Sequence, residues 1–287
     1  MTMTSTQVAD PMDRLAALLG ESGRFRAYQA IPEFARARCP DLDGLSYAQA
    51  RIPGLDEARL DWLGEQFDDD IGSVLEIGAN LGFFSLSLAE RGAAPVHAYE
   101  PEAALSDATA LIAGMIGLAD RLHCRSTGVA IADLVDLPAV DLMIHLNVLH
   151  HAGIAYDHEA VAAAGGWMTY AHDYLAGIRA ERLFLQTGNS AGDATLFPSE
   201  DAIPVLGDLL AGAGWSVAAV GVIEDFDQLT YRTFGVDALA TAPRARCSRN
   251  TETGLVDYER DGQVVASLET GAAARPLWLC RRMETGT

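Results

Sequence analysis

The stretch Ser73 to Pro101, SVLEIGANLGFFSLSLAERGAAPVHAYEP, constrains this chain more than any other. Val74, Leu75 and Ile77 predict a short apolar strand, interrupted by Glu76 just before a turn. Gly78, Asn80 and Gly82 then give E-x-G-x-N-x-G. Gly78 permits a tight turn and the close approach of a ligand where a Cβ would collide. Asn80 tolerates left-handed dihedrals better than most residues that carry a side chain. Phe83 to Leu88 predicts the apolar start of a helix, and Val96 to Tyr99 a second strand closed by Glu100. A nucleotide-binding α/β unit needs these parts in this order: free N–H groups at a helix N-terminus, then a carboxylate for ribose hydroxyls. Glu100 stands 18 residues beyond Gly82, close to the roughly 20 expected for that acid.

The pattern is not G-x-G-x-x-G, and Glu76 precedes the first glycine. A carboxylate there suits a ligand with a positive amino-acid end and would repel a pyrophosphate. Leu75 to Gly82 resembles the first motif of the class I S-adenosylmethionine-dependent methyltransferases, and Ala98-Tyr99-Glu100-Pro101 the second. Ala132 to Pro138 is similar to their G-D-A-E-D-L-P stretch, and Asp141 to His151 to the strand and loop that follow it. The resemblance spans roughly Glu57 to Gly221, with the four motifs in order. It implies S-adenosyl-L-methionine as cofactor. The residues implied to hold it are Glu76, Gly78, Ala79, Asn80, Gly82, Phe83, Phe84, Glu100, Pro101, Asp133 and Asn147. In this scheme Asp133 accepts the adenine amino group; the alternative for it is a helix cap. The Gly78–Gly82 turn also resembles natural-product O-methyltransferases of the FkbM type, which implies specialised metabolism.

Composition narrows the setting. The formal net charge of −20 repels a nucleic acid unless a local basic patch overcomes it. All 20 basic residues are arginine. The four cysteines, Cys39, Cys124, Cys247 and Cys280, form no C-x-x-C pair, so neither a zinc framework nor disulfides are expected. No 18-residue apolar run occurs, and Met1 to Asp10 lacks a secretory apolar stretch. A cytoplasmic protein without a membrane partner is expected, and a homodimer is compatible with the sequence.

The fold expected is α/β: a Rossmann-like, seven-stranded, doubly wound sheet with a helical N-terminal cap and a β-rich insertion before the last strand. The divisions read as 1–56 for the cap or lid, 57–223 for the cofactor-binding core, 224–276 for the insertion, and 277–287 for the last strand and tail. Leu15, Leu18 and Leu19 at helical spacing predict an early helix stopped by Gly20. Between Gly23 and Pro53, Phe25, Tyr28, Phe34 and Tyr47 alternate with Arg24, Arg26, Arg36, Arg38 and Arg51. Two readings stand: surface arginines on helices covering a sheet edge, or a lid that holds an acidic or planar substrate. Leu60, Leu63 and Phe67 mark a helix leading into the first strand, and Leu105 to Leu118 the helix after the second. The third strand lies at Leu122–Arg125 or Gly128–Ile131. Asp141 to Val148 predicts a strand buried on both faces, His158 to Leu175 its crossover helix, and Arg182 to Gln186 the fifth strand. A flexible loop, Gly188 to Gly192, follows. Ala202 to Ala213 reads as a helix, Trp215 to Ile223 as the sixth strand and Leu277 to Arg281 as the last. Asp261-Gly262 between two alternating runs is a strong hairpin signal.

The candidate chemistry follows from strand order. Ligands bind outside the carboxyl ends of the strands in open α/β sheets, which puts His150 and His151 beside a transferred methyl. Histidine has a suitable reference pKa of ~6.5 for a general base, and His151, further from the strand end, is the preferred base. His172 and Asp173 are the next candidates. No third ligand accompanies the histidines, so no metal is expected. The reading is transfer of a methyl group to a small-molecule acceptor. Two rivals stand beside it: an RNA enzyme, because Val-Leu-His-His is similar to tRNA wobble-uridine carboxymethyltransferases, and a non-catalytic binding protein that keeps the nucleoside site.

Overall fold

A computed structural model of the chain describes residues 10–21, 27–45, 52–67, 71–191, 193–244 and 246–284. Phe25, Tyr47, Arg24, Arg26 and Arg51, and the tail up to Val8, lie outside them. The chain opens with α1 (Pro11–Glu21), α2 (Glu33–Arg38), a 3₁₀ turn (Pro40–Gly44) and α3 (Leu55–Glu65). The alternating part then runs β1 (Val74–Ile77), α4 (Phe83–Glu90), β2 (Val96–Tyr99), α5 (Ala103–Met115), β3 (Leu122–Arg125) and β4 (Val140–Leu146). After β4 come α6 (His158–Ala163), α7 (Trp167–Gly177), β5 (Ala180–Gln186), the two-residue strands β6 (Ser190–Ala191) and β7 (Ala194–Thr195), and α8 (Ala202–Gly212). The chain closes with β8 (Trp215–Asp225), β9 (Thr230–Phe234), β10 (Arg246–Arg249), β11 (Val256–Arg260), β12 (Gln263–Leu268) and β13 (Leu277–Arg282).

The large sheet has eight strands in the order β3-β2-β1-β4-β5-β13-β8-β9. β1 to β5 pair in parallel, and β13 lies antiparallel between β5 and β8. The expectation of seven strands is therefore corrected: β9 turns back along β8 and extends the edge. Trp62 of α3 covers this addition, donating its ring N–H to Thr233 Oγ1 at 3.0 Å. Gly221 leaves room for it, since a Cβ there would stand 2.6 Å from the indole. The third strand is Leu122–Arg125, which resolves that alternative. The expected crossover helix is broken at Gly165 and Gly166, both at positive φ, into α6 and α7.

Residue alternation divides the core between the sheet's two faces. Val74 with Phe84, Leu86, Leu105 and Ile112 faces α4 and α5, and α1 packs on that side through Leu15 and Leu19. Leu75 and Ile77 face the other way, toward Tyr170, Tyr174, Leu206 and Leu210 of α7 and α8. Each fully buried large apolar side chain contributes about 1.5–3 kcal/mol. At the entry ends of the strands, Asp141 Oδ2 accepts from Ser73 N–H at 2.6 Å and Ser73 Oγ–H at 3.0 Å, which locks β1 to β4.

β10, β11 and β12 form a separate antiparallel sheet. The hairpin turns at Asp261 (φ 49°) and Gly262 (φ 76°), both left-handed as a two-residue Asp-Gly turn requires. This sheet sits at the carboxyl ends of β5 and β8. Cys247 N–H donates to Ser199 Oγ at 3.0 Å, and Tyr258 packs with Phe226 and Ile223. The expected loop after β5 closes instead into the small β6–β7 hairpin, with Gly192 outside the described residues. No helix of the described residues is long and apolar enough to cross a membrane.

Candidate active site

The turn after β1 is left-handed at Gly78 (φ 73°), Asn80 (φ 49°) and Gly82 (φ 73°). Close packing also demands the glycines. A Cβ at position 78 would stand 2.4 Å from Val148 Cγ2, and one at 82 would stand 2.3 Å from Thr109 Cγ2. Several backbone donors here are used within the protein. Gly78 and Ala79 N–H donate to the Tyr99 carbonyl at 2.8 and 3.1 Å, and Gly82 N–H to the Ala79 carbonyl at 2.7 Å. Asn80 N–H donates to Glu100 Oε2 at 2.7 Å, and Phe83 N–H to Gln29 Oε1 at 3.1 Å. At the helix N-terminus the Phe83 N–H is thus taken by a side chain, that of Gln29.

Two buried carboxyl groups set the chemistry around the turn. Glu100, 6 % exposed, accepts from Asn80 N–H and, at 3.0 Å, from Glu102 N–H. A carboxylate has about four lone-pair sites, so acceptor capacity is left for a pair of hydroxyls. Burial raises its pKa against the pull of those two hydrogen bonds. Glu76 is 2 % exposed, and its Oε2 accepts from Ser85 N–H at 3.0 Å and Ser85 Oγ–H at 2.5 Å, tying β1 to the first turn of α4. Burial pushes its pKa up to about 8 although the Ser85 hydrogen bonds pull it down. Ala79 is buried, and Pro101 lies exposed at the exit of β2. A nucleoside with a cationic end fits two buried carboxyl groups in this position.

Several expected cofactor contacts take other duties. Phe83 and Phe84 are core: they pack edge to face at 5.3 Å, and Phe84 meets Phe184 under the sheet at 6.3 Å. Asp133 is exposed, and its Oδ2 accepts Ala130 N–H at 2.8 Å, capping its own 3₁₀ turn. Asn147 (φ 59°) has its side chain tied between two partners. Its Nδ2 donates to Gln186 Oε1 at 2.9 Å, and its Oδ1 accepts from Arg275 Nη1 at 2.6 Å.

His150 and His151 occupy a 3₁₀ turn directly after β4, with ring centroids 4.1 Å apart. Gly188 N–H donates to His150 Nδ1 at 3.1 Å, so the proton of the neutral ring sits on Nε2. Burial, then the charge of Arg275, lowers the His150 pKa to about 2. As a candidate base His150 is therefore corrected: it is a neutral strap between β4 and β5. His151 is exposed, and burial of its ring followed by Arg275 lowers its pKa. His172 and Asp173 are not brought to this edge. His172 Nδ1 bonds Asp173 at 2.9 Å and Nε2 bonds the Gly212 carbonyl at 3.0 Å, where α8 ends and the chain enters β8. That is the opposite end of the sheet. Among the described residues, no group of three or more His, Cys, Asp or Glu could hold a metal ion.

Four participants carried no sequence signal: Gln29, Arg59, Arg275 and Thr187. Tyr28 and Gln29 N–H donate to Asn80 Oδ1 at 3.2 and 3.3 Å, so the segment before α2 is laid over the turn. Arg36 and Arg38 turn outward to Asp43 and Glu90. The guanidinium groups that matter are Arg59, buried and bonded to Asp56 at 2.7 Å, and Arg275, just before β13. Thr187, at the exit of β5, is the fourth.

No family model matches the chain, and no curated protein matches it. Among solved structures, WbdD aligns over 85% of this chain and 52% of its own, at 18% identity and a TM-score of 0.51. Another WbdD structure, described as a bifunctional kinase-methyltransferase, aligns over 61% of this chain and 35% of its own, at 23% identity and 0.46. PH1948 of Pyrococcus horikoshii, a candidate RNA methyltransferase, aligns over 94% of this chain and 98% of its own, at 12% identity and 0.46. The chain shares its fold with WbdD. It spans about a third and about a half of the length of these two WbdD chains.

Proposed function

We infer that the chain transfers a methyl group from S-adenosyl-L-methionine to a small-molecule acceptor, in keeping with the natural-product enzymes its turn resembles. The observation that carries this reading is Glu100, buried at the exit of β2 beside the left-handed turn with acceptor capacity left over, and Glu76 buried under the same turn. Such a pair suits a ribose diol and a cationic end. The donor supplies a methyl whose bond to sulfur breaks, with the electron pair returning to sulfur, as an acceptor lone pair bonds the carbon. The protein then has to align the acceptor, exclude water and remove the acceptor's proton. Glu100 would hold the diol, Glu76 would face the cationic end, and His151 would take the proton. The charge of −20 favours a small acceptor over RNA.

Glu100→Ala is expected to weaken donor affinity at least about tenfold, since each hydrogen bond to a charged group is worth roughly 1.5–3 kcal/mol and ~1.4 kcal/mol is tenfold. Calorimetry on the folded variant reads this, and unchanged affinity removes Glu100 from the site. Labelled methyl transfer to small phenols or amino acids, set against bulk RNA, tests the acceptor class. Label appearing in RNA alone overturns the small-molecule reading.

A further inference from the structure

Beyond the exit of β5, a cavity of about 350 Å³ opens between the β6–β7 hairpin and the inserted β10–β12 sheet. That volume lies within the range of small-molecule sites. Its polar groups are distributed unevenly. At the rim, exposed Arg249 and Glu269 oppose each other in charge. Toward β5 the lining contains Thr187 and Arg275 and no carboxylate.

Arg275 is the unusual member. Its Nη1 donates to Asn147 Oδ1 at 2.6 Å, and among the described residues no carboxylate comes within ion-pair distance of it. Burial and nearby Arg59 lower its pKa to about 10, which leaves it charged at neutral pH. Arg275 is half-buried, and a charge withdrawn from water without a counter-ion carries a cost that a bound anion would offset. Gly188 frames it. A Cβ there would stand 3.0 Å from Arg275 Cζ and Nη2 and 2.9 Å from His150 Cδ2, so the guanidinium packs against the backbone beside the histidine pair. Thr187 is 2 % exposed, and its hydroxyl has no hydrogen-bond partner. Buried hydroxyls are nearly always paired, and this one lines the cavity.

We propose that this cavity receives the acidic end, a carboxylate or phosphate, of the methyl acceptor, with Arg275 as the specificity-determining anion site and Thr187 as a second donor. The planar guanidinium offers the paired N–H geometry that a carboxylate or phosphate accepts. The inserted β10–β12 sheet is the outer wall of the acceptor site. The net charge of −20 disfavours an acidic ligand over the chain as a whole, so an arginine without a carboxylate partner selects for one locally. The word acceptor rests on the methyl-transfer reading, whereas the anion site does not.

The test is calorimetric titration of the full chain with 4-hydroxybenzoate, 4-hydroxybenzamide and phenyl phosphate, each with and without S-adenosylhomocysteine. The wild type is expected to bind the acid, the phosphate or both at least about tenfold more tightly than the amide, in line with a charged hydrogen-bond pair. The two anionic arms tell carboxylate from phosphate. R275Q is expected to lose the preference and R275K to restore part of it, with S-adenosylhomocysteine affinity unchanged in both. Equal binding of all three probes by the wild type, including no binding, overturns the proposal without any variant having to fold. A preference that survives in R275Q overturns it too. Wild type that binds S-adenosylhomocysteine without preferring anions sinks this inference alone. Wild type that prefers anions but binds no S-adenosylhomocysteine sinks the methyl-transfer reading alone.

Discussion

His151→Ala is expected to slow turnover about 10²–10⁴-fold while donor affinity stays near wild type, the signature of a lost general base. His151 is exposed at the carboxyl end of β4, and its pKa is lowered by burial and by the Arg275 charge. A base acts in its unprotonated form, so the wild-type rate should rise with pH through a midpoint below the ordinary ~6.5 and be level by pH 7. That limb should vanish in the variant. His150→Ala should behave differently, because His150 is already neutral throughout this range. Its loss leaves the Gly188 N–H without its acceptor, costing about 1–3 kcal/mol of stability with the pH limb intact. Single-turnover rates across pH for both variants separate the roles. A wild-type rate and profile in His151→Ala place the base elsewhere.

Glu76→Gln is expected to change how stability depends on pH. The folded pKa of Glu76 is about 8 against an ordinary 4.5. Between those values the native state binds one proton more than the unfolded chain, so stability falls as pH rises. The contribution is fully present below about pH 4.5 and is lost as pH rises through about 8. The slope is about 1.4 kcal/mol per pH unit. From pH 5 to pH 8 the wild type should therefore lose about 3–4 kcal/mol relative to the glutamine variant, which keeps the shape and cannot ionise. Urea unfolding of both proteins at intervals across this window reads the difference, and contributions from other groups cancel. Parallel curves would mean that Glu76 stays ionised in the fold. A cationic donor beside Glu76 should in turn favour its ionised form, so donor binding near neutral pH is expected to release a proton.

Most strands of the large sheet were legible as short apolar runs, with β3 left between two positions, and the Asp261-Gly262 turn because few residue pairs accept two left-handed conformations. The position of Glu100 at the end of β2 was legible from spacing alone. β9 was not, since Thr230 to Phe234 is half polar and becomes a strand only by pairing with β8 under Trp62. The break between α6 and α7 was not, since His158 to Leu175 reads as one helix and only the positive φ of Gly165 and Gly166 divides it. Phe83 and Phe84 stand beside the turn in sequence and point into the core in space, because α4 lies flat on the sheet. Arg275 reaches Asn147 across 128 residues of chain. No periodicity or motif marks such a contact, and the arginines that sequence singled out, Arg36 and Arg38, pair with surface acids instead.

The most direct measurement is a calorimetric titration of the wild-type chain with S-adenosylhomocysteine, set against ADP and NAD at neutral pH. A buried carboxyl group at the exit of β2 and Glu76 under the turn predict one-to-one binding of S-adenosylhomocysteine, tighter than that of either phosphorylated nucleotide. Binding of ADP or NAD at equal or higher affinity, or no binding of S-adenosylhomocysteine, would contradict the account.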